Sequence, residues 1–125
     1  MNLDKVISGF FIILAMTLNF GFFYGDMESI PAHGKYELFI AIVVNLIATI
    51  LKLGDKTQIG SVLLATSLVA DIQLIAAAIV WTIVVYTSTM TSEMMMVVVS
   101  LSGGALLANI ISVTLYVGDT LKSKR

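Results

Sequence analysis

The segment NLIATILKLGD, residues 45–55, recurs later in the chain as NIISVTLYVGD, residues 109–119. Asn opens both segments, Gly-Asp closes both, and Ile and Leu fall at matching positions between them. Because Asn, Gly and Asp are rare in apolar segments, their agreement favours an internal repeat. The segments that precede them do not align at the same offset, so a chance likeness of two apolar strings stays open as the alternative. If the repeat is real, the chain folds as two helical hairpins repeated in parallel; in a membrane protein, such hairpins are related by an axis along the membrane normal.

The composition of the chain points to a membrane. Of the 125 residues, 58% are hydrophobic and 12% are charged, and the mean hydropathy is +1.01. A soluble domain of this size needs a polar surface that so few polar residues cannot provide. The charges cluster at the ends and in two short gaps. Helices are the structure that satisfies the backbone of the apolar segments between them. The sequence therefore predicts an all-α, polytopic membrane protein.

Four apolar segments define the expected transmembrane helices. They form a single transmembrane domain over residues 1–125, with spans at about residues 6–24, 38–53, 60–88 and 94–117. The third segment is clearly longer than the roughly 20 residues that a span needs. It is expected to contain one span, which either tilts or follows a short interfacial turn.

Positive charge predicts the orientation. Six of the seven Lys and Arg residues fall on the side of the two chain ends, and Lys35 falls on the other side. The positive-inside rule then places both termini in the cytoplasm. Lys52, near the end of the second span, is expected to extend its ammonium group to the cytoplasmic surface, which leaves no basic residue inside a span.

Polar residues within the spans are the candidate functional residues. They are Asn19, Asn45, Asp71, Gln73 and Asn109. The amides are expected either to join helices by hydrogen bonds or to line an ion pathway.

Asp71 differs from the amides because a carboxylate near mid-bilayer costs about 2.5–3.5 kcal/mol on insertion scales. One interpretation is that Asp71 binds a cation or proton with help from Asn45 and Asn109. The alternative is that the third span begins near Val69, so that Asp71 lies beside a helix N-terminus, where a carboxylate is stabilised.

Glycines predict packing and helix ends. Gly103 and Gly104 are expected to allow close helix packing, or else to mark a break in the fourth span. Gly54 and Gly118 are expected to cap their helices in the left-handed conformation.

Catalysis is not expected. The chain has no Cys, one His and no phosphate-binding loop. It therefore predicts no enzyme activity, no metal site and no cofactor. The expected partners are the lipid bilayer and further copies of the chain, and no nucleic acid.

Residues 1–26, MNLDKVISGFFIILAMTLNFGFFYGD, and 51–74, LKLGDKTQIGSVLLATSLVADIQL, resemble a family of small four-span bacterial inner-membrane proteins of unassigned function. The resemblance covers nearly the whole chain. It implies an inner (cytoplasmic) membrane location and an association with Trk- or Ktr-type potassium uptake systems. No site residue is transferred by this resemblance.

Three functions remain open at this stage. The first is an oligomeric channel or transporter for a cation, with Asp71 on its path. The second is a non-conducting accessory or assembly subunit of a larger cation transporter. The third is a purely structural membrane protein.

Overall fold

A computed structural model describes residues 3–25, 32–54 and 57–123. These residues form four α-helices, and the all-α prediction is confirmed. The helices are α1 (Leu3–Gly25), α2 (Ala32–Lys52), α3 (Gln58–Thr87) and α4 (Ser92–Ser123). Several residues used above for the repeat and the orientation lie outside the description, namely Asp55, Lys56, Lys124, Arg125 and the side chain of Lys35.

The four helices pack as a square antiparallel bundle. Each helix contacts its neighbours in sequence, α1 also contacts α4, and the backbones of the two diagonal pairs stay apart. Phe22 near the end of α1 shares a cluster with Leu38 near the start of α2, whereas Ile12 shares one with Ala48. This order shows that α1 and α2 run in opposite directions.

The bundle exposes large apolar side chains on its flanks and buries several polar side chains among the apolar ones of its core. Large apolar residues such as Phe10, Phe39, Ile72 and Leu107 are exposed on its flanks. The buried polar residues are Asn19, Asn45, Thr49, Lys52, Ser67, Asp71, Ser102, Asn109 and Ser112. Helices α1, α3 and α4 are each long and apolar enough to cross a membrane. Both observations indicate membrane association, because an apolar flank of this extent is stable against lipid rather than water.

Helix α3 is continuous over 30 residues. Its first turn is capped by Thr57, whose hydroxyl accepts a hydrogen bond from the Gly60 N–H at 3.1 Å. The helix therefore has no break ahead of Asp71 that would separate an interfacial turn from the span. Asp71 lies several turns beyond the first residue of the helix, Gln58. The interpretation that places Asp71 beside the helix N-terminus is wrong, because the influence of a helix end is confined to its first turn.

The predicted glycine caps are not present. Helix α4 passes through Gly118 and ends at Ser123, and no glycine in the described ranges has a positive φ. Glycine within a helix costs about 1 kcal/mol, an amount that one tertiary hydrogen bond can offset. Tyr116 provides such a contact, because it holds this part of α4 to α1 by donating to the Lys5 carbonyl at 2.7 Å.

The end of α2 needs no left-handed residue either. The Leu53 N–H closes a tight turn onto the Ile50 carbonyl at 3.1 Å. Such a turn satisfies one of the carbonyls that a helix end leaves free. Gly54 follows this turn without a positive φ.

Gly103 and Gly104 lie within α4 where side chains of two other helices approach it. A Cβ at Gly103 would lie 2.8 Å from the ring of Phe23 in α1, and one at Gly104 would lie 2.7 Å from the amide of Gln73 in α3. These are contacts of the kind predicted for a packing face, and α4 is unbroken at this point.

A bulky residue at Gly103 should destabilise the bundle. Gly103→Leu displaces the Phe23 ring. Overpacking of this kind costs about 1–3 kcal/mol. We expect a lower unfolding temperature in detergent, followed by the fluorescence of Trp81, the single Trp of the chain. Gly21→Leu is the matched control because no atom lies within 4 Å of its Cβ position. Equal unfolding temperatures for the two variants would contradict the packing of α1 on α4.

Candidate functional site

Lys52 is buried at the centre of the site. It is the last residue of α2 and is only 6% exposed. Its ammonium group donates hydrogen bonds to the hydroxyls of Ser67 in α3 and Ser112 in α4, the latter at 2.7 Å. The expectation that Lys52 extends to the membrane surface is therefore wrong. Lys52 follows Asn45 and Thr49 at helical spacing, so its side chain leaves the helix on the face that packs into the bundle.

Asp71 is the second buried charge, at 5% exposed. The hydroxyl oxygen of Thr49 lies 2.5 Å from its Oδ2 and 2.9 Å from the backbone carbonyl of Asn45. A hydroxyl has a single proton to donate. Thr49 can therefore donate to an ionised Asp71, or donate to the carbonyl and accept a hydrogen bond from a protonated Asp71. The contact accommodates both protonation states of the carboxyl group.

Lys52 and Asp71 compensate each other electrically. Their opposite charges attract each other. The hydrogen bonds are made to hydroxyl groups, that of Ser67 for Lys52 and that of Thr49 for Asp71. An unpaired charge inside a membrane bundle is costly, and a partner of opposite sign reduces that cost. The expectation that no basic residue lies near Asp71 is wrong. The second carboxylate oxygen, Oδ1, is buried and has no hydrogen-bond partner among the described residues.

The two repeated asparagines meet in the core. Asn109 Nδ2 donates to Asn45 Oδ1 at 3.1 Å, across the diagonal from α4 to α2. Asn45 in turn donates to the Ala41 carbonyl at 2.7 Å. Because the two asparagines hold the same place in the two repeated segments, equivalent positions of the two hairpins face each other. Asn45, Asn109 and Asp71 are thus brought into one network, in which Thr49 links the backbone of Asn45 to Asp71.

The other two predicted polar residues lie apart from this network. Asn19 is fully buried, and neither atom of its amide has a hydrogen-bond partner in the described part of the chain. Gln73 rests on Gly104 and lines a groove on the outer side of α3 and α4, together with Glu93 and Ser100.

A cavity of about 230 Å³ adjoins Lys52 at the end of the bundle that holds the first turn of α1. Its polar lining residues are Asp4, Lys5, Ser8, Lys52, Tyr116 and Asp119. Towards the other end the core is apolar. There Phe22 packs on Trp81 with ring centroids 6.0 Å apart, and Leu38, Leu74 and Val98 fill the space around them. Lys52 is thus the residue of the network that faces this cavity.

The donor atoms of the network limit what it can bind. They are hydroxyl, carboxylate and amide oxygens, which suit a proton or a hard cation better than a soft transition metal. Among the described residues, no three His, Cys, Asp or Glu side chains come together in a way that could hold a metal ion.

A family model matches residues 32–120, and its description is a family of unknown function, DUF6394. The chain belongs to the DUF6394 family. The matched segment of this DUF6394 member contains α2, α3 and most of α4, and so every residue of the network, while α1 precedes it. No curated protein and no solved structure matches the chain. The family description names no transporter, so the link to Trk- or Ktr-type systems stays a prediction.

Three residues of the site carried a sequence signal that composition does not reveal. Thr49 follows Asn45 by four residues, Lys52 follows Thr49 by three, and Ser67 precedes Asp71 by four. These intervals place each set on one helix face. The face that points inward depends on packing, so the interval alone did not separate Lys52 from a surface lysine.

Loss of the Thr49 hydroxyl should destabilise the network. Thr49→Val keeps the shape of the side chain but leaves the buried Asp71 Oδ2 without its donor. An unsatisfied buried acceptor costs about 1–3 kcal/mol. We expect a lower unfolding temperature in detergent. Thr114→Val is the matched control, because that exposed hydroxyl bonds only the Ile110 carbonyl of its own helix. A loss of stability no larger at position 49 than at position 114 would contradict the bond to Asp71.

Proposed function

We propose that this DUF6394 member is a small four-span protein of the bacterial inner membrane that moves a cation by way of the network around Asp71. The observation that carries the proposal is the burial of Lys52 and Asp71 inside a bundle whose outer surface is apolar. Ionisable residues at such positions are costly and are typical of ion pathways and proton relays. The cavity beside Lys52 supports the proposal, since Lys52 lines it together with the charged residues Asp4, Lys5 and Asp119 at one end of the bundle.

The proposal of four spans rests on helix direction. Helices α1 and α3 both run antiparallel to α2, so the end of α1 and the start of α3 lie at opposite ends of the bundle. If α1 and α3 cross the membrane, α2 has to cross between them. Its apolar part, residues 38–53, is short for a span. The inward turn of Lys52 removes a charge from its lipid-facing side.

Movement of a cation would be of the carrier type rather than through an open pore. The network reaches the cavity at one end, but the Phe22–Trp81 packing closes the other end with apolar side chains. A bound cation would cross only when this packing rearranges. One-sided access to a site near the middle of the membrane is typical of secondary transporters.

The second candidate function is a non-conducting subunit of a larger cation transporter, such as the Trk- or Ktr-type systems. The groove on the outer side of α3 and α4 favours it, because Gln73, Glu93 and Ser100 place polar groups on a flank that is otherwise apolar. Polar groups on such a flank are stabilised by a hydrogen-bonding partner helix. The same groove could receive a second copy of the chain.

The topology can be tested with single cysteines, because the chain contains none. We expect an impermeant maleimide applied from the periplasmic side to label Tyr24→Cys and Thr89→Cys, whereas Gln58→Cys reacts only after lysis. All three positions are exposed in the bundle. Labelling of Gln58→Cys from the same side as Tyr24→Cys would show that α2 does not cross the membrane.

Transport can be tested in proteoliposomes loaded to report K⁺, Na⁺ and H⁺ movement. Wild-type protein should move at least one of these ions, and Asp71→Asn should reduce the rate by about tenfold or more, the effect of roughly 1.4 kcal/mol on the barrier. Glu37→Gln is the control, because it removes a carboxylate near the start of α2, outside the network and the groove, and should leave the rate unchanged. Absence of flux from inserted, folded wild-type protein would favour the non-conducting subunit instead.

A further inference from the structure

The ammonium group of Lys52 occupies a position built from oxygen atoms of two other helices, α3 and α4. Ser67 and Ser112 contribute hydroxyls that accept its hydrogen bonds, and Asp71 contributes negative charge from α3. A hard monovalent cation is bound by similar features, namely oxygen ligands that replace its hydration shell, in some sites with a carboxylate among them.

One carboxylate oxygen of Asp71 has no hydrogen-bond partner among the described residues when Lys52 occupies the site. Asp71 Oδ1 is fully buried and has no hydrogen-bond partner in the described ranges, while Oδ2 is held by Thr49. An unpartnered carboxylate oxygen inside a protein is unfavourable and is the kind of group that binds an ion or water directly. This oxygen belongs to the same carboxylate that neutralises Lys52.

The Lys52 side chain also borders a cavity that its ammonium group could enter. Its side chain lines the cavity of about 230 Å³, whose other charged lining residues are Asp4, Lys5 and Asp119, two acids and one base. The lysine side chain has a flexible four-carbon stem, so its ammonium group can turn from the hydroxyls towards this cavity without movement of the helix.

We propose that the position of the Lys52 ammonium group is a monovalent-cation site, which Lys52 fills as a tethered cation and vacates by turning into the adjoining cavity. An incoming cation then takes the Ser67 and Ser112 oxygens and gains Asp71 Oδ1 as a ligand. The charge near Asp71 is the same before and after the exchange. This inference rests on the proposed function and adds the way in which the site is opened.

The test removes the tethered cation and supplies a free one. Lys52→Met protein in detergent is titrated with potassium, ammonium or sodium chloride at constant ionic strength, with N-methylglucamine chloride as the replacement salt. We expect the unfolding temperature, read from Trp81 fluorescence, to rise with at least one of the three cations and to saturate. Wild-type protein should need about tenfold more cation for the same effect, because the tethered ammonium group competes at high effective concentration.

Two further variants separate site binding from a general salt effect. Lys52→Met combined with Asp71→Asn should lose the response, since the carboxylate ligand is gone. Lys122→Met removes an exposed lysine of α4 and should behave as the wild type does. A folded Lys52→Met variant that responds equally to all four salts would overturn the proposal.

A measurement on wild-type protein decides the matter if Lys52→Met does not fold in any salt. Amine acylation followed by mass spectrometry reports how accessible each lysine is. Potassium, compared with N-methylglucamine, should speed acylation of Lys52 and leave Lys122 unchanged. Equal Lys52 rates in the two salts would overturn the proposal. If the cation binds but the wild-type protein shows no flux, the cation site stands and the proposed transport is contradicted. If flux occurs but no cation binds in place of Lys52, transport stands and the cation site is contradicted.

Discussion

The need to keep Lys52 and Asp71 away from lipid is the constraint on which the rest of the bundle depends. Each charge is costly in an apolar surrounding. Each is stabilised by groups from other helices, Lys52 of α2 by Ser67 and Ser112, and Asp71 of α3 by Thr49. These bonds tie α2 to both α3 and α4. A slip of one helix by a turn, about 5.4 Å, would break several of them at once, so the register of three helices follows from two charges.

The remainder of the core is built to let those bonds form. In lipid, apolar side chains gain little by leaving the surface, and helices associate through close packing and polar contacts. Small buried residues, with Ala41, Ala70, Ala77, Ala105 and Ala108 among them, allow the helices to approach. Large side chains gather at the end marked by Phe22 and Trp81. The charged part of the core, with Lys52 and Asp71, lies towards the opposite end.

The candidate site lies where the two repeated segments differ. Asn45 and Asn109 occupy equivalent positions and bond to each other, so the repeat is nearly symmetric there. Two turns further along each helix the equivalents are Lys52 and Tyr116. Lys52 turns into the core, whereas Tyr116 bonds the Lys5 carbonyl in α1 and lines the cavity. Lys52 in α2 therefore has no charged equivalent in α4, and the second buried charge, Asp71, comes from α3.

The sequence by itself determined that the chain is all-helical, indicated membrane association, and marked the four apolar segments around which the helices form and the candidate polar residues within them. Those properties depend on the length and composition of local segments. It did not determine that Lys52 points inward, that α4 continues through Gly118, or that Asn19 and Gln73 stand apart from Asp71. Each of these depends on the rotation of a helix about its axis and on what neighbouring helices offer to the side chains that face them. A lysine at a helix end lies at the surface unless other helices supply acceptors and a counter-charge. Only the packed bundle brings Ser67, Ser112 and Asp71 to Lys52.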